Sequence, residues 1–192
     1  MDFNFDTDIE LSNERAIVRP LKADDLHHLL PVATKHKDLI QYSPTLVYNE
    51  ALLQQYISDA MRDRQIKFRY AFIIYDKLRQ QYAGSTSFAN IANKDGRVEI
   101  GYTWIGKDFQ GTGLNAAVKQ LLLSYAFDTL QFERVEFKTD ERNLTSRKAI
   151  EKLGAVYEGC LRHHMLMPDG FRRNSVYYSI LKNEWDLKKV KA

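Results

Sequence analysis

Long apolar runs, paired cysteines and metal-binding motifs are all missing from this sequence of 192 residues. No stretch of about eighteen apolar residues occurs, so we expect neither a membrane-spanning helix nor a membrane partner. The single cysteine, Cys160, excludes an internal disulfide and is typical of a cytoplasmic protein. No HExxH or CxxC pattern is present, so no metal site is expected. The N-terminus also lacks the segments of a signal peptide.

A large excess of one charge sign is missing as well. The 28 lysines and arginines nearly balance the 25 aspartates and glutamates, and the net charge of +3 is spread along the chain. Direct binding to nucleic acid is therefore not expected. The hydrophobic content of 44% and the charged content of 28% are typical of a soluble globular protein, and the length predicts one domain over residues 1–192.

Hydrophobic periodicity predicts one strand, two helices and then mostly antiparallel hairpins. Alternating patterns predict strands over residues 9–21, 68–75, 82–88, 97–105, 135–139, 155–167 and 173–181. Helical spacing predicts helices that begin near residues 23, 49, 113 and 143, with Asn49 and Asn143 as N-caps of the second and fourth. This order predicts an α/β protein of the mixed α+β type. Its mostly antiparallel central sheet would have about seven strands, with helices on both faces.

The predicted strand over residues 97–105 follows a turn signal at residues 93–96 and alternates in character. One face would carry Val98, Ile100, Tyr102 and Trp104. The other face would carry Arg97, Glu99, Gly101, Thr103 and Ile105. A second turn signal, Pro-Asp-Gly at residues 168–170, joins the last two predicted strands.

This strand leads into residues 107–118, which contain Gly111 and Gly113. Glycine permits tight bends and lets another molecule approach the backbone closely. The helix that follows presents unpaired N–H groups and the positive end of its dipole. Together these features predict an anion site, and phosphate is the anion most often bound in this way.

Two nucleotide-binding motifs fit this segment by spacing but not by context. A Walker A loop would need a lysine at the position of Thr112. The pattern Gly111-x-Gly113-x-x-Ala116 fits a dinucleotide fingerprint, but that motif follows a fully buried parallel strand. The strand here alternates polar and apolar residues, which argues against it. A structural turn without any ligand stays open as an alternative.

The segment 110–115, Gln-Gly-Thr-Gly-Leu-Asn, resembles the Q/R-x-x-G-x-G/A loop with which GNAT N-acetyltransferases bind acyl-CoA. The resemblance extends to residues 97–105 and 138–155, which are similar to the strand before the loop and to the strand and helix after it. The most similar branch acetylates the N-termini of ribosomal proteins. Asn115 departs from the motif, which has Gly or Ala there, so its side chain must point away from the phosphates or donate to them.

The resemblance implies a single acyl-CoA N-acyltransferase domain that uses acetyl-CoA as co-substrate and acetylates a primary amine in a ternary complex, without a metal. A bulge near residues 102–104, eased by Gly101, would admit the pantetheine arm and offer a backbone N–H to the oxyanion. The implied cofactor-binding residues are Tyr102, Trp104, Ile105, Gln110, Gly111, Thr112, Gly113, Leu114, Asn115, Asn143 and Ser146.

Two residues are the catalytic candidates. The resemblance implies that Glu99 deprotonates the amine through water, and whether Glu99 or a water chain is the base stays open. Otherwise Glu99 is a solvated strand residue or a partner of Arg97. Ser146, one turn into the helix capped by Asn143, would protonate the departing thiolate, or would only support the cap. Tyr157 is the second candidate for the acid.

The acceptor is not defined by the sequence: a ribosomal-protein N-terminus, another peptide amine, a polyamine and an antibiotic all stay open. The acceptor groove would lie between residues 42–56 and the C-terminal hairpin. Homodimers are frequent in the family, so a homodimer is one candidate assembly. A CoA- or nucleotide-binding sensor or scaffold without turnover also fits the loop, although Glu99 and Ser146 argue against it.

Overall fold

A computed structural model describes the backbone of residues 2–190 and the side chains of residues 2–187. The strands are β1 Leu11–Ser12, β2 Ala16–Pro20, β3 Arg69–Asp76, β4 Gln81–Ala92, β5 Arg97–Ile105, β6 Arg134–Asp140, β7 Val156–Leu166 and β8 Arg172–Leu181. The α-helices are α1 Leu26–Ala33, α2 Glu50–Gln65, α3 Leu114–Ser124, α4 Leu144–Lys152 and α5 Lys182–Val190.

The strands form one sheet in the order β1-β2-β3-β4-β5-β6-β8-β7. Of the neighbouring pairs in the described chain, β5 and β6 alone are parallel, and the rest are antiparallel. The predicted mixed, mostly antiparallel sheet is therefore confirmed, with eight strands where we expected about seven. The difference arises at Asn13, whose Oδ1 accepts the N–H groups of Arg15 (3.0 Å) and Ala16 (2.8 Å). This turn divides the single strand predicted over residues 9–21 into β1 and β2.

Two further boundaries differ from the prediction. The helix expected over residues 113–130 is α3 followed by a π-helical turn, Tyr125–Thr129. Helix α5 was not predicted, because its pattern is short and mostly polar. It carries Trp185, which is buried and stacks on Phe127 with ring centroids 5.6 Å apart.

The sheet separates two hydrophobic cores. Helices α1 and α2 cover one face, where Leu53, Ile57 and Ile73 are buried. Helices α3, α4 and α5 cover the other face, with buried residues that include Leu122 and Ile150. Helices on both faces of the sheet were predicted, and this arrangement is confirmed.

The predicted alternation of β5 is wrong beyond Gly101. Gly101 lies opposite Ser87 of β4 and Trp104 lies opposite Ser85, so β5 has one extra residue between these pairs. This is a β-bulge, and Tyr102 within it has a φ of +51°. The extra residue inverts the faces that follow: Ile105 joins the core beneath α3, whereas Trp104 joins the core beneath α1 and α2.

Local signals predicted the caps and turns correctly. The Asn49 side chain accepts the N–H of Leu52 at 2.9 Å, and Asn143 accepts that of Ser146 at 3.0 Å. Gly96 ends the turn between β4 and β5 with a φ of +58°, and Gly170 lies in the β7–β8 turn with a φ of +83°. Within residues 2–190, none of the helices combines the length and apolar character that crossing a membrane requires.

Candidate active site

The parallel strands β5 and β6 separate beyond Glu99. Their pairing covers only Arg97–Glu99 against Arg134–Glu136, although both strands continue past this point. Strand β6 stays paired with β8 along its whole length, so the gap opens on its β5 side. Helices α3 and α4 begin close after the C-terminal ends of β5 and β6, which places two positive helix ends at the mouth of the gap.

The loop before α3 presents a row of backbone donors. In the described chain, the N–H groups of residues 111–116 have no acceptor, and the first helical bond here runs from Ala117 N to Gly113 O (3.1 Å). Gly111 and Gly113 have φ angles of +71° and +85°, and a Cβ at either would meet open space. Six consecutive unpaired donors beside a helix N-terminus fit a pyrophosphate, so the residues present suit the implied CoA. We call residues 110–116 the cradle.

Two side chains of the cradle itself and one from a distant part of the chain hold the cradle in place. Gln110 donates from Nε2 to the carbonyl of Ile105 (2.9 Å), which ties the loop to the end of β5. Thr112 Oγ1 donates to the carbonyl of Phe109 (2.7 Å) and lies 3.2 Å from Arg15 Nη2. Arg15 is also paired with the buried carboxylate of Asp76, so it anchors the cradle to the end of β3.

Three of the predicted cofactor-binding side chains do not face the gap. Trp104, Ile105 and Leu114 are buried in the two cores, so only their backbone groups are available to a ligand. Tyr102 is 39% exposed at the bulge, with the Arg69 guanidinium 4.4 Å from its ring centroid.

Asn115, the departure from the family motif, turns its amide oxygen inwards. Its Oδ1 is buried and accepts no hydrogen bond within the described part of the chain. One helical turn further on, Lys119 is also buried, and its Nζ donates to Thr103 Oγ1 (2.6 Å). Thr103 in turn contacts Thr86 Oγ1 at 2.8 Å. Lys119 thus supports the β5 bulge from the α3 side, and burial lowers its pKa to about 7.

Glu99 is buried, with 4% of its surface exposed, on the face of β5 opposite α3. Its Oε2 accepts from Asn90 Nδ2 at 2.7 Å and lies 3.4 Å from Lys138 Nζ. Its Oε1 lies only 2.7 Å from where a Cβ at position 101 would stand, so Gly101 leaves room for the carboxylate. Arg97 instead approaches Asp95 and Glu136 (3.8 and 3.9 Å), so Glu99 is neither a solvated residue nor the partner of Arg97.

Asn143 and Ser146 are half-buried at the start of α4. The Asn143 side chain acts as the N-cap, which confirms that structural role. Ser146 supplies the capped N–H, and its hydroxyl makes no hydrogen bond to the described residues. Tyr157 is 50% exposed and packs edge-on against Tyr178, with centroids 5.5 Å apart.

Sequence reasoning missed the residues that surround the carboxylate. Asn90 of β4 and Lys138 of β6 contact the carboxylate, and Lys119 of α3 contacts the β5 bulge from the other face. The alternation of β6 would have placed Lys138 on the side of the sheet away from the apolar residues. Its contact with Glu99 depends on the β5–β6 register, which no local pattern specifies.

The family model for the acetyltransferase (GNAT) domain matches residues 15–156. YdaF of Bacillus subtilis (strain 168), provisionally designated a ribosomal N-acetyltransferase, is 35% identical over 116 residues. That match covers 60% of this chain and 61% of YdaF, less than two thirds of its length. The uncharacterized N-acetyltransferase p20 of Bacillus licheniformis is 28% identical over 91% of this chain and 97% of its own.

Solved structures share the fold. The crystal structure of a provisionally designated acetyltransferase from T. thermophilus superposes with a TM-score of 0.84 at 30% identity. The superposition covers 95% of this chain and 94% of that one. A cradle at the start of α3, a bulged strand beside it and a gap between two parallel strands thus occur in a chain that the family model matches over most of its length. The protein belongs to the GNAT family of N-acetyltransferases.

Proposed function

We propose that the protein transfers the acetyl group of acetyl-CoA to a primary amine, with a peptide N-terminus as the favoured acceptor. The observation that carries this proposal is the buried Glu99 carboxylate where β5 and β6 separate, in the same strand as the bulge before the cradle. The designation of YdaF as a ribosomal N-acetyltransferase supports a peptide acceptor.

The cradle would hold the pyrophosphate through its backbone N–H groups. Side chains of Gln110 and Thr112 would act indirectly, since both are engaged in keeping the loop in shape. The gap between β5 and β6 would receive the pantetheine arm, whose amide groups can pair with the unpaired edge of β5. The thioester would then lie near the bulge.

Transfer is direct. The amine nitrogen attacks the thioester carbonyl carbon, a C–N bond forms and the C–S bond breaks. Glu99 takes the proton of the attacking amine through water. A backbone N–H of the bulge stabilises the tetrahedral oxyanion, and the thiolate takes a proton from the Ser146 hydroxyl, which is replaced from solvent. Holding both reactants in one site supplies much of the rate, because the encounter becomes intramolecular.

Acceptor-dependent thiol release tests this proposal. The protein is incubated with acetyl-CoA and a panel of N-terminal peptides, polyamines and other small amines, and free thiol is followed with a chromogenic disulfide. We expect release only when a suitable amine is present, with the acetylated product seen by mass spectrometry. Tight acetyl-CoA binding without acceptor-dependent release across the panel would instead identify a sensor or scaffold module.

A further inference from the structure

A second polar group lies on the same face of the sheet as Glu99. The register pairs Glu99 with Glu136, Lys138 with Tyr177, and Asp140 with Ser175. Because side chains at alternate positions share a face, these residues and Arg173 all point to one side of β5, β6 and β8. None of them entered the catalytic scheme above except Glu99.

Arg173 is the unusual member of this group. It is 5% exposed, and it donates from Nε to Ser175 Oγ (3.1 Å) and from Nη1 to the carbonyl of Tyr42 (3.3 Å). Among the described residues, no carboxylate lies within ion-pair distance of it; Asp140 is engaged by Arg142 at 2.8 Å. A buried guanidinium without a paired carboxylate is costly, and burial lowers the pKa of Arg173.

Two more groups join Arg173 to Glu99. His164 Nδ1 contacts Ser175 Oγ at 3.0 Å, so one hydroxyl joins the histidine and the arginine. The Lys138 ammonium lies 3.4 Å from Glu99 Oε2 and 5.8 Å from the ring centroid of Tyr177. We call Lys138, His164, Arg173 and Ser175 the Arg173 cluster.

The charges around Glu99 do not balance. Asp140 is paired with Arg142, and Glu136 is paired with Arg134 (2.8 Å each), which leaves the carboxylate of Glu99 against the cations of Lys138 and Arg173. Lys138 contacts Glu99 directly, and β8 carries Ser175, with the arginine and histidine bound to its hydroxyl, further along the same face. An acceptor amine near Glu99 would therefore share this face of the sheet with a positive region, which repels a second ammonium group and attracts an anion.

We propose that the Arg173 cluster is an anion subsite of the acceptor groove and binds a carboxylate that the acceptor carries close to its amine. This inference rests on the proposed function, since it names the acceptor class of the same site. The shared chemistry is an amine with a nearby carboxylate, either the acidic side chain of a second peptide residue or the α-carboxylate of a free amino acid. Polyamines and aminoglycoside-like amines are disfavoured.

Matched acceptors test the subsite. Three amidated peptides, Ser-Asp-Phe, Ser-Asn-Phe and Ser-Lys-Phe, differ only in the charge of the second residue, and free serine with serinamide isolates the α-carboxylate. In at least one of the two comparisons, the aspartyl peptide against the asparaginyl peptide or serine against serinamide, kcat/KM for the acidic acceptor should be about tenfold higher. This ratio corresponds to the free energy of a hydrogen bond to a charged group. The pair with the larger ratio identifies the source of the carboxylate.

Variants assign the preference to the cluster. Arg173→Gln should abolish the preference, so that the ratio of kcat/KM between the acidic acceptor and its neutral analogue falls from about tenfold to about one. Arg173→Lys should keep part of the preference for the acidic acceptor. This variant tests the subsite if the glutamine variant folds poorly. Arg172→Gln, at the exposed neighbouring arginine of β8, is the matched control and should keep the whole preference.

Binding separates the failure of this inference from that of the proposed function. Calorimetric titration of the three peptides into the protein with CoA needs no turnover, and the acidic peptide should bind about tenfold more tightly. If no acceptor is acetylated but the acidic preference in binding holds, the catalytic proposal fails and the subsite stands. Equal or basic-favouring rates and affinities, or an acidic preference that survives Arg173→Gln, would overturn the subsite.

Discussion

The proposed site has two ends, a cofactor end and an acceptor end, which are built from different parts of the polypeptide. The cofactor end uses consecutive backbone N–H groups of residues 111–116, all within one loop and one helical turn. The acceptor end is assembled from side chains on β4, β5, β6 and β8, and its members are Asn90, Glu99, Lys138 and Arg173. One end is thus a property of local chain geometry, and the other is a property of sheet register.

This difference has a consequence for substitution. Backbone donors are insensitive to most side chains, so the cradle should tolerate change except where glycine permits its φ angles. A side chain in the acceptor end instead has a specific partner on another strand, and its removal leaves that partner buried and unsatisfied. We therefore expect the largest effects of single substitutions at the acceptor end, and these effects should be on kcat.

Glu99→Gln should have the largest effect on activity. Glutamine keeps the shape of the side chain and an oxygen for Asn90, but it cannot accept the proton of the amine. We expect kcat to fall by about 100-fold with little change in the acetyl-CoA KM, as for loss of a general base. Part of the rate should return at high pH, where more of the amine is already deprotonated.

Glu136→Gln is the matched control for this substitution. Glu136 is the residue of β6 in register with Glu99, and it pairs with Arg134 at 2.8 Å instead of facing the bulge. Its variant should keep kcat within twofold. A Glu99→Gln enzyme with full turnover across the pH range would remove Glu99 from the reaction.

Lys119 contacts the β5 bulge, which lies between Glu99 and the cradle in the chain, and Lys119→Met should change stability with a defined pH dependence. The pKa of Lys119 is lowered from 10.5 to about 7 by burial, so between these values the unfolded chain binds one more proton than the folded chain. This group therefore makes the free energy of unfolding rise from about pH 7 to pH 10.5. Methionine fills a similar volume without the buried charge.

Thermal unfolding at several pH values tests whether the Lys119 contribution to the free energy of unfolding rises with pH. The methionine variant should unfold at least about 3 °C above the parent at pH 6.5, where the parent carries the full cost of the buried charge. The gain should shrink towards pH 10, where Lys119 is neutral in the folded state. A difference in Tm that is flat or grows with pH would show that Lys119 does not titrate as its burial predicts.

Gly113→Ala tests the cofactor end. Alanine at a φ of +85° costs about 1–2 kcal/mol, and its methyl group would enter the open side of the cradle. We expect the acetyl-CoA KM to rise about tenfold, with a smaller change in kcat. Gly170→Ala places the same strain, at a φ of +83°, in the β7–β8 turn and should leave that KM unchanged. If both variants changed the acetyl-CoA KM equally, the cradle would be only a structural turn.

The sequence predicted those features of the fold that depend on neighbouring residues. Caps at Asn49 and Asn143 and turns at Gly96 and Gly170 follow from local backbone chemistry. The alternation of β5 did not predict its inversion beyond Gly101, because one extra residue in a bulge leaves no mark on periodicity. The resemblance to the family implied a bulge near residues 102–104, and that bulge is confirmed at Tyr102.

The same limit applies to the site. The glycines and the helix start indicated the cradle, since its donors are contiguous in the chain. Lys138 and Arg173 were not selected, because a lysine or arginine at an alternating strand position is usually solvent-exposed. Only the pairing of β6 with β5 and β8 shows that Lys138 lies beside Glu99 and that Arg173 shares the same face of the sheet.

Ser146→Ala should have the smallest effect, although Ser146 is a candidate catalytic residue. Thiols have pKa values near 8.5, so CoA thiolate leaves readily and gains little from a proton donor, in contrast to the amine that must lose its proton. We expect kcat to fall roughly fivefold, with no change in the acetyl-CoA KM, because the N–H that caps α4 is retained. An unchanged kcat would limit Ser146 to support of the cap and make Tyr157→Phe the next variant to measure.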